Sequence, residues 1–398
     1  MSTLVQHDQI KAAPGAFRSV LTGFGAAGLL GAVAAVFGWF RDSEQLAFSY
    51  LVPFLFFLSL GLSALFFVLL QHLTRAGWSV ALRRIPEVMM SVVPFFALLF
   101  IPVFLGRHEL YHWTHDDAVA HDELLRHKEP YLNVTFFLIR AAAYFLVWTL
   151  LTRYFYGRSV RQDSTRDPHT TVVMQRRAAP GMILFAITLS FSSVDWIMSL
   201  DPHWYSTIFG VYIFSGTALA GFAAFLLAGM LLSRGNHVTV FRHDHFRDLG
   251  RLMFAFTIFW AYIAFSQFFL IWYGNIPEET LFYLHRLEGS WKTATLLLAV
   301  GHFAIPFVVL MARWSKKQKG VLAAMAVWVL LMHYLDMYWL VMPVLHHEGV
   351  RVHWMDVVCF LAVGGIFLAL FVRKLASRSL VPVGDPRLPE SLNLHNDY

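Results

Sequence analysis

Residues 47–71 read AFSYLVPFLFFLSLGLSALFFVLLQ, without one Asp, Glu, Lys or Arg. That run exceeds the ~20 apolar residues that carry an α-helix across the hydrocarbon of a bilayer. A helix lying on the surface of a soluble domain keeps a polar face, and this stretch has none long enough to supply one. In lipid only α-helices and closed barrels satisfy every backbone N–H and C=O. Barrel strands are short and alternate in polarity, whereas this run is long and continuous. It reads as a membrane-spanning helix.

Working outward from it, apolar blocks of similar length recur at 20–40, 86–105, 132–155, 180–200, 208–232, 250–273, 292–313, 320–342 and 355–376. The composition agrees, with 58% hydrophobic and 14% charged residues, against roughly a quarter charged in an ordinary soluble domain. The predicted fold is all-α: a polytopic transmembrane helix bundle of about ten spans. Residues 1–19 read as a cytoplasmic N-terminal segment, 20–376 as the transmembrane domain and 377–398 as a cytoplasmic C-terminal tail. The polar stretch from Ser2 to Arg18, which contains Asp8, lacks a compact basic region, so the first block is expected to be a retained helix rather than a cleaved signal.

Charge sets the direction. On one side of the alternating loops lie Lys11, Arg18, Arg75, Arg83 and Arg84, the arginines from Arg153 to Arg177, those from Arg234 to Arg251, Arg313 to Lys319, and the tail. The other side holds only Arg41, Arg107, Arg126, Lys128, Arg286, Lys292 and Arg351. The positive-inside rule therefore puts both termini in the cytoplasm. The net charge of +6 and pI near 9.4 are explained by this bias, and a nucleic-acid surface is not expected. One cysteine, Cys359, excludes disulfides within this chain and cysteine-ligated iron–sulfur clusters carried by it alone.

A repeat is visible in two outward-running segments. Asp195 precedes Pro202 and His203 at the end of the fifth span, and Asp336 precedes Pro343 and His346 at the end of the ninth. This predicts two related four-helix bundles, 47–200 and 208–342, with the first and tenth spans peripheral. The outer connection 106–131 is polar and histidine-rich, readable either as a docking surface for an extracytoplasmic partner or as a solvated loop. Glu87, beside Arg83 and Arg84, reads either as an inner proton entrance or as part of a surface ion pair.

Ionisable residues inside the spans carry the functional reading, because a charge at membrane depth costs on the order of 3 kcal/mol unless paired or wet. Arg140 lies roughly 12 Å inside the fourth span at 1.5 Å per residue, and Asp195 lies at similar depth in the fifth, as natural partners. His302 sits in the eighth span; His333 and Asp336 share one face of the ninth. With the carboxylate adjacent, His333 is expected to titrate near neutral pH, so the five residues are proton-pathway candidates. Two structural roles compete with this: a packing ion pair for Arg140 and Asp195, and a carbonyl hydrogen bond for His333. His302 and His333 are the one deep pair that a membrane haem would need, which is thin support for haem. No metal-ligand spacing, nucleotide loop or nucleophile motif is present.

The stretch from Ser192 to Thr207, SSVDWIMSLDPHWYST, together with the segment from His333 to Trp339, HYLDMYW, and the ten-span layout, resembles the F subunit of bacterial alternative complex III, a quinol:cytochrome c oxidoreductase. That subunit is similar to the polysulfide-reductase-type (NrfD-like) membrane anchors. The resemblance implies a cofactor-free subunit of a respiratory oxidoreductase complex in the bacterial cytoplasmic (inner) membrane, not expected to be catalytic alone. It would stand beside a sister quinol-binding membrane subunit, a multihaem cytochrome and an iron–sulfur subunit. Haem c and iron–sulfur clusters would belong to those partners, with menaquinol or another quinol as substrate of the complex and a proton half-channel in this chain. Two alternatives are a quinol-binding subunit in its own right and a secondary transporter or ion channel. Prolines clustered near span ends argue against the transporter.

Overall fold

The computed structural model describes residues 15–234, 238 and 240–395. Lys11 and most of the N-terminal segment lie outside them. Among the described residues ten helices are long and apolar enough to cross a membrane: α1 (Arg18–Arg41), α2 (Ser43–Leu73), α3 (Arg84–Leu105), α4 (Val134–Thr165), α5 (Pro168–Leu200), α6 (Phe209–Arg234), α7 (His243–Gly274), α8 (Trp291–Met311), α9 (Lys319–Val344) and α10 (Trp354–Ala376). The chain is a multi-pass, all-helical membrane protein.

The arrangement is a pair of quartets. Within the first, α2 packs against α3 and α5, and α4 against α3 and α5; within the second, α6 packs against α7 and α9, and α8 against α7 and α9. The quartets meet where α2 touches α6 and α9 and where α5 touches α6. Exchanging α2 with α6 and α5 with α9 maps these contacts onto one another. This explains why the stretch at 47–71 has no polar face. Helix α2 is enclosed on all sides by α3, α5, α6, α9 and α10, and its most apolar window is entirely buried.

Helices α1 and α10 stand outside the quartets, with α10 on α2 and α1 on α10. Of α1, only Gly28, Gly31, Ala35 and Gly38 are buried. A Cβ on Gly31 would come within 2.5 Å of the Ala362 backbone nitrogen, and one on Gly365 within 2.4 Å of the Gly28 nitrogen. In lipid, where apolar surface alone does not drive helices together, such close backbone approach is what holds a pair.

Several boundaries and environments differ from the sequence reading. Helices α4 and α5 run 32 and 29 residues in unbroken α-conformation, beyond the apolar blocks at 132–155 and 180–200. The arginine-rich stretch between those blocks is therefore mostly helical, turning at Arg166 in the left-handed region and restarting at Asp167, whose side chain accepts from the His169 N–H. Hydropathy registers only the part of a helix that meets lipid. The connection 106–131 folds into short helices over buried Tyr111 and Trp113.

Prolines do not keep to span ends. Pro94 and Pro102 interrupt α3, and Pro306 sits in the middle of α8, just after a π-helical turn at Ala299–Ala304. In the π register the Gly301 carbonyl would accept from the N–H of residue 306, which proline lacks. The Trp328 indole of α9 donates to that carbonyl at 2.7 Å instead.

The end of the bundle that carries Glu87 is also more closed than expected. Glu87 is fully buried rather than on the surface. It accepts from Arg83 Nε at 2.9 Å and from the Ser159 hydroxyl at 2.7 Å, and lies 3.3 Å from Arg84 Nη1. Arg83 continues to Asp385, and Arg84 to Asp163. The tail is thus not free. Buried Ser391 donates to the Trp78 carbonyl, accepts from the Ala81 N–H and meets His245 Nε2 at 3.0 Å.

Candidate functional site

Each quartet holds one buried carboxylate towards the C-terminal end of its last span, Asp195 or Asp336, and the two are solved differently. In the first, Arg140 of α4 reaches Asp195 of α5 through Nε to Oδ2 at 2.8 Å and Nη2 to Oδ1 at 3.0 Å, a two-pronged pairing. The Tyr144 hydroxyl, one turn along α4 from Arg140, also donates to Oδ2 at 2.6 Å. Arg140 Nη1 donates to the Tyr131 carbonyl at 2.8 Å, and its guanidinium lies 3.8 Å over the Tyr131 ring. Every charge here has a partner. The predicted pair exists, and its geometry is that of a packing element.

In the second quartet Asp336 of α9 is equally buried, but its partners are neutral. The Tyr212 hydroxyl of α6 donates to Oδ1, and the Trp260 indole of α7 donates to Oδ2 at 3.2 Å. No Arg or Lys forms an ion pair with it among the described residues. The imidazole of His302 packs tilted against the Trp260 indole, ring centroids 4.1 Å apart, and His333 stands 6.4 Å from His302.

The structure corrects one expectation. His333 does not hydrogen-bond Asp336; its Nε2 meets the Ser59 hydroxyl of α2 at 2.9 Å. Residues three apart share a helix face, yet α9 sits in a corner where the Asp336 side faces α6 and α7 and the His333 side faces α2. Ser59 donates its own hydrogen to the Phe56 carbonyl at 2.7 Å, so His333 Nε2 carries the proton and donates. Nδ1 of His333 and both ring nitrogens of His302 are enclosed without a protein partner. His302, His333 and Asp336 are therefore brought together around Trp260, and Arg140 and Asp195 form a separate centre.

Beside the second centre, between α7, α8 and the outer helix Pro277–Leu287, lies a cavity of about 610 Å3. Tyr212 and Trp260, the two ligands of Asp336, form part of its wall with Phe265, Phe303 and Trp339. Nearby in sequence, between the lining residues Tyr283 and Leu287, Arg286 is buried and donates to the Phe282, Trp339 and Leu340 carbonyls. In the first quartet Lys128 donates to the Pro202 carbonyl after α5.

Sequence reasoning did not find Tyr212, Trp260 or Ser59, since a tyrosine, tryptophan or serine within a span carries no signal of what it faces. Tyr144 was within reach, standing at i+4 from Arg140. Compared with known proteins, the chain matches no family model and no curated sequence.

Proposed function

We propose that this chain is a membrane subunit of a quinol:cytochrome c oxidoreductase complex in the bacterial cytoplasmic membrane, and that its own task is to pass protons through the α6–α9 quartet. The observation that carries the reading is Asp336, a fully buried carboxylate held by a hydroxyl and an indole with no cation bonded to it. A buried carboxylate is stable either paired, as Asp195 is, or protonated. Asp336 has the second option only, so it can gain and release a proton as its surroundings change. His302 and His333 extend the same polar centre inward.

On this reading the redox groups, haem c and iron–sulfur clusters, sit in partner subunits, and a sister membrane subunit binds the quinol. Extraction in mild detergent should bring a multihaem cytochrome and an iron–sulfur protein with the chain; isolation of the chain alone would remove that assignment. Asp336→Asn in the assembled complex should lower the proton yield per quinol oxidised while leaving the subunits together. An unchanged yield would retire the proton path.

A second reading has one specific support, the 610 Å3 cavity whose aromatic wall ends at Tyr212 and Trp260. It has the size and character of a site for a lipid-soluble ring compound, here a quinol bound by this chain itself. Quinone that co-purifies with the complex and is lost with Phe303→Trp, which fills the cavity, would favour it. The transporter reading gains little from the interrupted helices. Helix α3 corresponds to α7 and not to α8, so the breaks are not in equivalent positions of the two halves.

A further inference from the structure

Where α2, α5, α6 and α9 meet, at the contact between the quartets, packing leaves an internal cavity of about 30 Å3. Most of its wall is apolar, from Leu55, Leu62, Ile213 and Met337, but Ser59, Ser192, Ser193 and Thr217 also line it. The three serines each donate to a carbonyl one turn back: Ser59 to Phe56, Ser192 to Leu189 and Ser193 to Ser190, at 2.7, 3.0 and 2.7 Å. Each keeps an oxygen lone pair free.

Thr217 behaves differently. The residue is 1% exposed and its hydroxyl has no hydrogen-bond partner among the described residues, whereas a helical threonine normally returns its hydrogen to a carbonyl of the preceding turn. Thr188 and Thr257 in this same bundle do so, bonding to the Leu184 and Met253 carbonyls. Buried hydroxyls are satisfied by protein or by ordered water with few exceptions. A cavity becomes large enough for one water at roughly 10–15 Å3, and cavities that stay dry are lined by apolar groups alone.

We propose that this cavity is a binding site for one or two internal water molecules, held by Thr217 and Ser59. A water here accepts the Thr217 hydrogen and donates to Ser59 and to one of the two serines of α5. That gives it three hydrogen bonds, the usual complement of a buried water. Ser59 already accepts from His333 Nε2. The water therefore joins the imidazoles of the second quartet to α5, two or three positions before Asp195, across the contact between the quartets. Its part in moving protons rests on the reading of Asp336 above; the site itself rests only on the cavity and its hydroxyls.

The test is made on the intact protein. A map of sufficient resolution to show other buried waters should contain one or two peaks within hydrogen-bonding distance of Thr217 and Ser59; a blank cavity in such a map overturns the proposal. Thr217→Val keeps the shape and removes the hydroxyl. It should abolish the density and, in infrared difference spectra taken with isotope-labelled water, one sharp water O–H band; a wild-type band persisting unchanged in the variant also overturns it. Loss of the band with an unchanged proton yield leaves the water site standing and removes it from the proton path, independently of the result with Asp336→Asn.

Discussion

Arg140 holds Asp195 through two hydrogen bonds of 2.8 and 3.0 Å across the α4–α5 contact, with the carboxylate fully buried. Removing one partner of such a pair strands the other charge, which typically costs about 3–5 kcal/mol. Arg140→Leu should therefore lower the detergent unfolding temperature sharply and reduce assembly. The double variant Arg140→Leu with Asp195→Leu should recover much of that loss, because replacing both charges by apolar groups removes the stranded one. If the single and double variants unfold alike, the pair is not what holds these helices.

Tyr212 should matter less for stability than for the state of Asp336. Tyr212→Phe deletes one hydrogen bond to the carboxylate, with an expected cost of about 1–3 kcal/mol. The infrared carboxyl band of Asp336 should shift as the donor disappears, while Asp195, bonded to Arg140 and Tyr144, should keep its signature. An unchanged spectrum would mean that Tyr212 does not hold Asp336 in solution.

The C-terminal tail closes over the turn between α2 and α3 through Asp385 and Ser391. Asp385→Ala removes a carboxylate from buried Arg83 and leaves the guanidinium with Glu87 alone. Hydrogen exchange at Trp78 to Arg84 should rise well above wild type, and cleavage of the tail by added protease should accelerate. Protection equal to wild type would show that the strap closes without this ion pair.

His203 and Asp122, both outside the spans, form a contact whose pH dependence has a fixed sign. Hydrogen bonding by His203 first, and then by the Leu125 N–H, holds the Asp122 carboxyl below the usual carboxylate range. A lowered folded value means the contact contributes fully above the ordinary aspartate pKa and is lost as pH falls through the lowered one. His203→Ala should move the Asp122 midpoint up towards that ordinary value in a carbon-detected titration. A midpoint that stays low would assign the effect to the backbone donors.

Close approach of α1 to α10 depends on glycine. Gly31→Leu places a side chain where even a Cβ would meet the Ala362 backbone at 2.5 Å, so spin labels on the two helices should separate by several ångströms, on the order of the usual change from small to large contact residues. The quartets, which do not use α1, should remain folded; global loss of structure would mean α1 is not peripheral.

The chain by itself determined the number of spans and which of them carry Arg140, Asp195, His302, His333 and Asp336. Insertion cost is a sum along one helix, so it is written in the linear order of residues. The pairing of Arg140 with Asp195 was legible for the same reason, equal depth on consecutive spans. Tertiary structure decided what depth does not encode, namely which way each side chain points and what stands opposite. It turned His333 to Ser59 and Asp336 to Tyr212 and Trp260, although the two residues are one turn apart. It buried Glu87 beneath a tail whose Asp385 meets Arg83 across a separation of 302 positions. It also carried α4 and α5 past the membrane, where hydropathy is silent and only continued backbone hydrogen bonding marks the helix. Two aspartates that look equivalent in the sequence thus become different groups, one neutralised by a guanidinium and one left with neutral donors.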